Sequence, residues 1–410
     1  MLYRALPKTG DRLSILGFGA MRLPQKKGRI DEPRATAQIR MAIDRGINYI
    51  DAAMPYHAGA CEPFLGRALS DGYREKVRLA TKLPHWDVVA SRADMDALLR
   101  VQLQNLNTDR IDYYLLHQLG LPDWLRLERL GIVDFLNCAK ADGLIGNAGF
   151  SFHASYDEFA ALVDAYDWEF CQIQYNYLDE QHQAGTRGLR YAASRGLGVI
   201  VMEPLRGGNL AKMPPEIKAF FDEAEQRRSA AEWSLRWIWN HPEVTCVLSG
   251  MNDEAHIEEN LKIADEAQPD SLTPTELEII SCVVTAYRKL MKVGCTGCRY
   301  CMPCPAGVAI PECFDAYNAQ LWGNKIEGLF RYLFMVARPL RDCGDAYASR
   351  CTQCGECEKK CPQHIEIRAH LKDVAARFEG LKLRLLIRLM RLIMGFKRRK
   401  NLKRGRALLP

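Results

Sequence analysis

The segment GINYIDAAMPY, residues 46–56, gives the first indication of the fold. It begins as a short β-forming run that ends at Asp51, and it then leaves the strand through small residues and Pro55. Between residues 14 and 270, similar short apolar runs alternate with longer segments of helical periodicity, a pattern typical of parallel strands joined by crossover helices. Eight runs have this form: 14–19, 49–51, 77–80, 112–116, 144–146, 171–173, 199–202 and 246–248.

Eight strands with intervening helices predict an α/β fold, a (β/α)8 TIM barrel of about 250 residues. The chain is longer than one barrel, at 410 residues, and near residues 293–294 its composition changes abruptly to Cys, Gly and Pro. We therefore predict three parts. They are a barrel over residues 1–290, a small cysteine-rich domain over 291–378 and a basic helical tail over 379–410.

The net charge of +6 is unevenly distributed along the chain. Residues 379–410 hold eleven Lys and Arg against one Glu, a net +10, which leaves −4 for residues 1–378. A body of that charge is unsuited to general binding of nucleic acid, so we expect no nucleic-acid partner. The first residues lack the apolar run of a secretion signal and no apolar stretch reaches membrane-spanning length, so we expect a cytoplasmic protein.

Four polar side chains follow or end three consecutive predicted strands: Asp51, Tyr56, Lys82 and His117. The carboxyl ends of barrel strands meet at one mouth, so these side chains should converge there. A phenol with a pKa of about 10 is a poor acid, but a nearby ammonium such as Lys82 can lower that pKa while Asp51 holds the lysine. The four residues therefore predict a proton-delivery site.

These residues and their spacing resemble the Asp, Tyr, Lys and His tetrad of the aldo-keto reductases, and the resemblance extends over about residues 13–266. It implies hydride transfer between a nicotinamide cofactor and the carbonyl carbon of a small-molecule substrate. Tyr56 would donate the proton, and His117 would hydrogen-bond the carbonyl oxygen. Variable loops set specificity in such barrels, and Trp86, His57 and Trp124 are candidate pocket walls.

The resemblance also implies a set of cofactor-binding residues. Ser151 and Gln172 correspond to the pair that holds the nicotinamide carboxamide. The remaining residues are Pro204, Leu205, Arg206 and Gly208 at the pyrophosphate, and Ser249, Gly250, His256, Glu259 and Asn260 at the adenosine end.

Three departures from the family pattern bear on the cofactor. Phe152 stands where many members have Asn, and Met202 stands where many have a tyrosine that stacks on the nicotinamide. Gly250 and His256 stand where NADPH-specific members place Lys and Arg around the 2′-phosphate. Because a phosphate prefers cationic partners, we expect NADP(H) as in the family, with NAD(H) as the alternative.

Ten of the fifteen cysteines lie between residues 295 and 361, and eight of these form two runs of tight spacing, with Cys313 and Cys343 outside both. The second run matches the bacterial ferredoxin pattern, in which three cysteines hold one cluster and a fourth, before proline, ligates the other. Zinc is the alternative for C-x-x-C pairs, but this spacing favours two [4Fe-4S] clusters in a ferredoxin-like module. The predicted ligand sets are Cys295, Cys298, Cys301 and Cys361, and then Cys351, Cys354, Cys357 and Cys304.

The clusters leave two alternative functions open. A [4Fe-4S] cluster passes one electron whereas a hydride carries two, so a flavin or quinone could link the two chemistries in an electron-transfer reductase. No flavin motif is visible, so flavin binding stays open. The other alternative is a non-catalytic nicotinamide-binding sensor or accessory subunit.

The tail places Arg384, Arg388 and Arg391 on one helical stripe, with Leu, Ile and Met over the rest of the helix. A basic amphipathic helix commonly lies on an anionic membrane surface, here the inner face of the membrane. The alternative is that its apolar face packs on this chain or on a second copy. A tail on the membrane could bring the clusters close to a membrane quinone.

Overall fold

The computed structural model describes residues 1–86, 88–295, 297, 299–319, 325–338, 345–361 and 363–408. The chain divides into two compact units. The first comprises Met1–Arg206, Ala231–Leu272 and Lys400–Pro410, and the second comprises Gly207–Ala230 and Thr273–Arg399. All of the barrel strands belong to the first unit.

Eight parallel strands close into a barrel, in the order β10-β11-β12-β3-β6-β7-β8-β9, which confirms the predicted fold. Two short hairpins, β1-β2 and β4-β5, lie outside the barrel order. The strands of the described residues are β1 Tyr3–Ala5, β2 Arg12–Ser14, β3 Leu16–Gly19, β4 Gln25–Lys26, β5 Arg29–Ile30, β6 Tyr49–Asp51, β7 Arg78–Leu83, β8 Ile111–Leu116, β9 Ile145–Phe152, β10 Phe170–Gln174, β11 Gly198–Met202 and β12 Val244–Ser249.

Helices follow the barrel strands and continue through the second unit. Those of the described residues are α1 Glu32–Asp44, α2 Cys61–Ala68, α3 Arg92–Leu106, α4 Leu121–Arg129, α5 Ile132–Ala141, α6 Tyr156–Asp164, α7 Gly185–Ser194, α8 Pro215–Asp222, α9 Ala230–Trp239, α10 Glu254–Glu266, α11 Pro274–Leu290, α12 Ile310–Asn318, α13 Lys325–Arg331, α14 Glu356–Lys359, α15 Ile367–Phe378 and α16 Leu381–Arg406.

Aromatic side chains fill the barrel interior. The Tyr113 ring packs edge-on against Tyr49 at 5.2 Å and Phe170 at 5.0 Å between centroids. A Cβ at Gly149 would lie 2.6 Å from the Phe170 ring, so glycine is needed there for a close approach. The β1-β2 hairpin places Leu6 in the same cluster, against the start of β11.

The strand register places the catalytic candidates at one end of the barrel. Asp51, the last residue of β6, pairs with Ala80 of β7, and Lys82 of β7 pairs with Leu115 of β8. Because all these strands are parallel, their carboxyl ends open on the same side. The chain then enters a tight turn over Tyr56–Gly59, so that Tyr56 lies above the end of β6.

The second unit has its own hydrophobic core, built mainly from α12, the segment Tyr332–Ala337 and α15. The Tyr332 ring stacks on Phe378 with 4.6 Å between centroids, and its hydroxyl donates to the buried carboxylate of Glu379. The helices α8 and α11 pack on each other within this unit. A core of this size gives the cysteine runs a rigid support.

Candidate active site and cysteine clusters

Asp51, Lys82 and Tyr56 meet at the carboxyl end of the barrel. Lys82 donates through Nζ to Oδ1 of Asp51 at 2.6 Å and to the carbonyl oxygen of Ala52 at 2.7 Å. The Tyr56 hydroxyl lies 3.5 Å from the same Nζ. Asp51 and Lys82 are both buried, and a short charge-assisted pair of this kind fixes where the ammonium stands relative to the phenol.

The Tyr56 pKa moves in the opposite direction from the one expected from the sequence. Removal of water around the partly exposed tyrosine, together with the negative charge of Asp51, raises its pKa well above the ordinary value of about 10. Burial also raises the pKa of Asp51, although Lys82 opposes that shift. Tyr56 therefore stays protonated at neutral pH, as a proton donor must.

His117 follows β8 and shares the site with Tyr56. The two rings lie edge to face with 6.2 Å between centroids. The Trp86 ring packs against the His117 ring with 4.8 Å between centroids. This position agrees with Trp86 as a candidate pocket wall. The four tetrad residues predicted from the sequence are thus brought together at one mouth.

The other two candidate walls differ in their surroundings. His57 is half-buried, and its Nε2 accepts a hydrogen bond from the backbone N–H of Leu23 at 3.3 Å. That bond ties the residue next to Tyr56 to the segment leading into the β4-β5 hairpin. Trp124 instead packs on Trp168, with 5.5 Å between ring centroids, within the helical layer. His57 therefore remains a candidate wall, whereas the contacts of Trp124 are those of a packing residue.

The sequence analysis did not single out Glu62, a buried carboxyl group that contacts the strand carrying Lys82. Glu62 on α2 is fully buried and accepts hydrogen bonds from Thr81 Oγ1 at 2.7 Å and from Gln102 Nε2 at 2.9 Å. Gln102 also donates to the carbonyl oxygen of Lys82 at 3.0 Å. Burial raises the pKa of Glu62. This network braces the strand that carries Lys82, and an acidic residue within the apolar face of α2 was its only sequence signal.

Ser151 and Gln172 fit a carboxamide. They lie on β9 and β10 as partners in the register. The Ser151 Oγ accepts from the backbone N–H of Gln118 at 2.8 Å, which leaves its own proton for another acceptor. The Gln172 Oε1 is buried without a hydrogen-bond partner among the described residues. A carboxamide offers one acceptor and one donor group, so it complements this pair.

The arginine of the predicted pyrophosphate loop is already paired with a carboxylate. Arg206 is buried and its Nε lies 3.0 Å from Oδ2 of buried Asp179, which also accepts from Gln174 Nε2 at 2.6 Å. Pro204 is buried, while Leu205 is partly exposed. Gly208 has φ +94°, a conformation that favours glycine. The loop is therefore preformed, with its guanidinium committed to a carboxylate.

At the adenosine end, Asn260 Nδ2 donates to Ser249 Oγ at 3.1 Å, and both residues are buried. The stem of Arg22 lies over Gly250, since a Cβ on that glycine would be 3.3 Å from the Arg22 Cβ. Arg22, which the sequence analysis did not single out, follows β3, and its side-chain carbons pass beside Gly250. Its signal was a basic residue three positions after Gly19, at the exit of a barrel strand.

The acidic residues near this end are also paired. Arg34 Nε donates to Glu254 Oε1 at 2.9 Å, and hydrogen bonds from Arg34 lower the pKa of Glu254 to about 2. Glu254 opens α10, where His256 is exposed and Glu259 is partly buried. Glu254 is thus paired with Arg34 of α1. This pairing weakens the repulsion that Glu254 would exert on a cofactor phosphate bound near α10.

Three cysteines of the first predicted set line one cavity. Cys295 and Cys301 from the first run face Cys361 from the second, with apolar walls from Ile310 and Phe314. Three thiols on an apolar cavity are the donor chemistry that a [4Fe-4S] cluster requires, so the residues fit that group. The fourth predicted ligand, Cys298, lies outside the described residues, and no three described His, Cys, Asp or Glu side chains form a closed metal-holding group by themselves.

The second cysteine set packs on the core of the same unit. Cys304, Cys351 and Cys357 contact that core, while Cys354 is exposed. The Gln353 Nε2 donates to Cys351 Sγ at 3.3 Å, and N–H bonds to sulfur help set the potential of iron-sulfur clusters. The described cysteines of the first set thus border an apolar cavity, whereas Cys354 of the second set reaches the surface.

A parallel eight-stranded barrel with this tetrad at its mouth, and with a serine and glutamine suited to a carboxamide, defines an NAD(P)H-dependent oxidoreductase. The family model of the aldo/keto reductase family matches residues 15–275, and the chain belongs to that family. The model of the 4Fe-4S dicluster domain matches residues 294–366, so the chain also carries a C-terminal iron-sulfur domain.

Relatives and solved structures agree with this assignment. The chain is 28% identical to L-galactose dehydrogenase of Arabidopsis thaliana over 68% of this chain and 93% of that protein. It is 27% identical to methylglyoxal reductase YeaE of Escherichia coli, over 67% and 96%. The barrel superposes on aldo-keto reductase AKR11C1 from Bacillus halodurans in its holo form, with a TM-score of 0.58, 25% identity and coverage of 69% and 96%.

Proposed function

We propose that the protein reduces a carbonyl group, with the bound nicotinamide supplying hydride to the carbonyl carbon and Tyr56 protonating the oxygen. The observation that carries this proposal is the contact set of Lys82 Nζ, 2.6 Å from Asp51 and 3.5 Å from the Tyr56 hydroxyl. The substrate is a small carbonyl compound. The named activity of the Escherichia coli relative, on methylglyoxal, makes short aldehydes the first compounds to assay.

Each side chain of the tetrad has a distinct task in this reaction. Tyr56, kept protonated by burial, donates its hydroxyl proton as negative charge develops on the carbonyl oxygen. Lys82, held by Asp51, stabilises the tyrosinate that is left behind. His117 donates a second hydrogen bond to the same oxygen. Ser151 and Gln172 orient the nicotinamide through its carboxamide, and Trp86 keeps water away from the reacting atoms.

We further propose two [4Fe-4S] clusters with crossed ligand sets, held in a domain over residues 291–378 that follows a barrel over residues 1–290 and precedes a tail from residue 379. The crossed assignment is supported by the cavity that Cys361 shares with Cys295 and Cys301. Exposure of Cys354 gives the second cluster a route for electrons to a partner. The partner would be a quinone or a small redox protein.

Anaerobic purification followed by iron, sulfide and flavin analysis, with NADPH oxidation measured on the same sample, tests this function against its rivals. Aldehyde-dependent NADPH oxidation without flavin supports carbonyl reduction. A bound flavin, with activity only toward one-electron acceptors, would replace the proposal by an electron-transfer reductase. Tight cofactor binding without turnover would favour a sensor or accessory subunit. A relative named as a probable potassium channel subunit beta, 25% identical, makes that rival concrete.

We expect a moderate preference for NADPH over NADH. The side-chain carbons of Arg22 pass beside Gly250, so Arg22 is a candidate partner for a 2′-phosphate, while Gly250 and His256 stand where NADPH-specific members have Lys and Arg. His256→Arg should raise the NADPH preference by about tenfold, and Arg22→Ala should lower it by a similar factor, as expected for one charge-assisted hydrogen bond. Fluorescence titration with both cofactors measures this, with Arg40→Ala as the control, because Arg40 is an α1 arginine that pairs with Asp71. An unchanged ratio in both variants would exclude these residues from the phosphate site.

We also propose peripheral association with a membrane through α16. This helix has two apolar faces. Leu383 and Ile387 are buried in the core of the second unit, whereas Leu385, Leu389 and other residues are turned outward. The outward stripe comprises Leu385, Leu389, Leu392 and Phe396, which are 55%, 53%, 72% and 71% exposed.

The charges beside this stripe favour an anionic lipid surface as its occupant. Arg388 and Arg399 are exposed and fall next to the stripe on the helix. Arg391 instead bonds Asp345 and the carbonyl oxygen of Ala337, so it serves packing. Each cation near an anionic leaflet contributes about 1 kcal/mol, and burial of leucine adds to that. None of the described helices is both long and apolar enough to cross a membrane, which fits a surface contact.

Leu392→Asp should abolish co-sedimentation of the full-length protein with vesicles of anionic lipid at low salt. The added charge would enter the apolar interface, where it is costly. Leu277→Asp is the matched control, because Leu277 is an exposed leucine on α11 outside the stripe. Truncation after Arg377 is a poorer test because it removes Leu383 and Ile387 from the core. The membrane proposal would be refuted if the wild-type protein did not co-sediment with the vesicles. It would also be refuted if light scattering showed a dimer that Leu392→Asp dissociates.

A further inference from the structure

The loop after β7 contains a buried histidine that the mechanism above does not use. His85 is fully buried, and its Nε2 lies 3.0 Å from the carbonyl oxygen of His117. A carbonyl oxygen only accepts, so Nε2 must carry the proton. The other ring nitrogen, Nδ1, then offers a lone pair, and Arg126 Nη2 stands 3.3 Å from it. His85 therefore links a catalytic residue to α4.

Arg126 closes the same loop at two points. Its Nη2 donates to the carbonyl oxygen of His85 at 3.1 Å, and its Nη1 donates to the carbonyl oxygen of Val89 at 3.0 Å. A carboxylate oxygen of Asp123 lies 3.9 Å from the guanidinium, which helps to keep it in place. Arg126 on α4 thus hydrogen-bonds His85 and Val89, which lie on either side of Trp86 in the sequence.

Trp86 completes the connection to the reacting atoms. Its ring lies between two histidines, 5.2 Å from His85 and 4.8 Å from His117, at an interplanar angle of 48° to each. Hydrogen bonds and tilted ring contacts therefore join the loop, the Trp86 ring and the backbone of His117 in one group. A displacement of about 1 Å in such a group can cost roughly 10²-fold in rate.

We propose that His85, clamped by Arg126, is a positioning residue that holds His117 and Trp86 in place for carbonyl reduction. The proposal rests on the function proposed above. His85→Leu removes the donor to His117, and we expect kcat to fall by about 10- to 100-fold. The dissociation constant for NADPH should stay within about twofold, because Ser151 and Gln172 lie on other strands. His85→Gln keeps an N–H at the Nε2 position and should restore most of kcat.

Steady-state kinetics and cofactor titration on the anaerobic holoenzyme measure both quantities, and thermal unfolding reports folding. Trp124→Phe, in the helix that carries Arg126, is the control: it should lower the unfolding temperature without a matching loss of kcat. If His85→Leu does not fold, Arg126→Met decides, because Arg126 is partly exposed and its loss opens the same clamp. Unchanged kcat in the folded variant, or equal losses in the Leu and Gln variants, would overturn the proposal. Full activity of Tyr56→Phe would instead overturn the underlying function.

Discussion

Tyr56→Phe should reduce kcat for aldehyde reduction by about 10²- to 10⁴-fold, the loss typical of removing a positioned proton donor. The substitution deletes the hydroxyl 3.5 Å from Lys82 Nζ and keeps the ring that faces His117. The cofactor residues Ser151 and Gln172 are untouched, so the affinity for NADPH should change little. Anaerobic NADPH oxidation at saturating cofactor, together with fluorescence titration, separates the two effects.

Tyr49→Phe is the matched control for that experiment. Tyr49 is a fully buried tyrosine in the barrel core, and its hydroxyl has no hydrogen-bond partner among the described residues. Removing that hydroxyl deletes an unsatisfied buried group, so stability should hold or rise and activity should be kept. Undiminished turnover in Tyr56→Phe would move the chemistry away from the tetrad. An equal loss in both variants would point to damage of the barrel.

The barrel could be predicted from the sequence because its signals are local. Each strand is a short apolar run and each helix has its own periodicity, so the alternation can be counted without knowledge of the fold. The register then follows from the closure of eight strands, which places Asp51 and Lys82 at one end. The sequence did not predict that α11 belongs to the second unit. Its membership depends on packing between segments that are distant in the sequence.

The sequence predicted which side chains meet at the barrel mouth, but it did not predict their electrostatics. The spacing identified Tyr56 and Lys82, but the direction of the Tyr56 pKa depends on how much water burial removes, which no spacing encodes. Arg206 was predicted to bind pyrophosphate, yet its partner Asp179 belongs to a different loop. Arg22 and Glu62 were missed for the same reason, since their neighbours in space are far away in the sequence.

Cys361→Ser should remove one of two clusters and lower the iron content from about eight to about four atoms per chain. Cys361 lines the cavity that Cys295 and Cys301 also line, so the cluster lost should be the one built mainly on the first run. A serine hydroxyl is a harder and less acidic ligand than a thiol and cannot hold the iron equally well. Iron and sulfide analysis with EPR of the reduced protein measures the loss. Cys313→Ser, at a buried cysteine outside both runs, should keep both clusters.

Pairs of substitutions then decide which cysteines share a cluster. If the sets are crossed, Cys361→Ser combined with Cys295→Ser affects one cluster only, and about four iron atoms should remain. Cys361→Ser combined with Cys351→Ser affects both, and the iron should be almost entirely lost. Uncrossed sets would reverse the two results, because Cys361 would then share its cluster with Cys351. Stoichiometric zinc without sulfide in the wild-type protein would reject the clusters themselves. The ligand pairing therefore follows from which double substitution lowers the iron content below that of Cys361→Ser alone. This comparison does not depend on how much iron a cluster with one missing ligand retains.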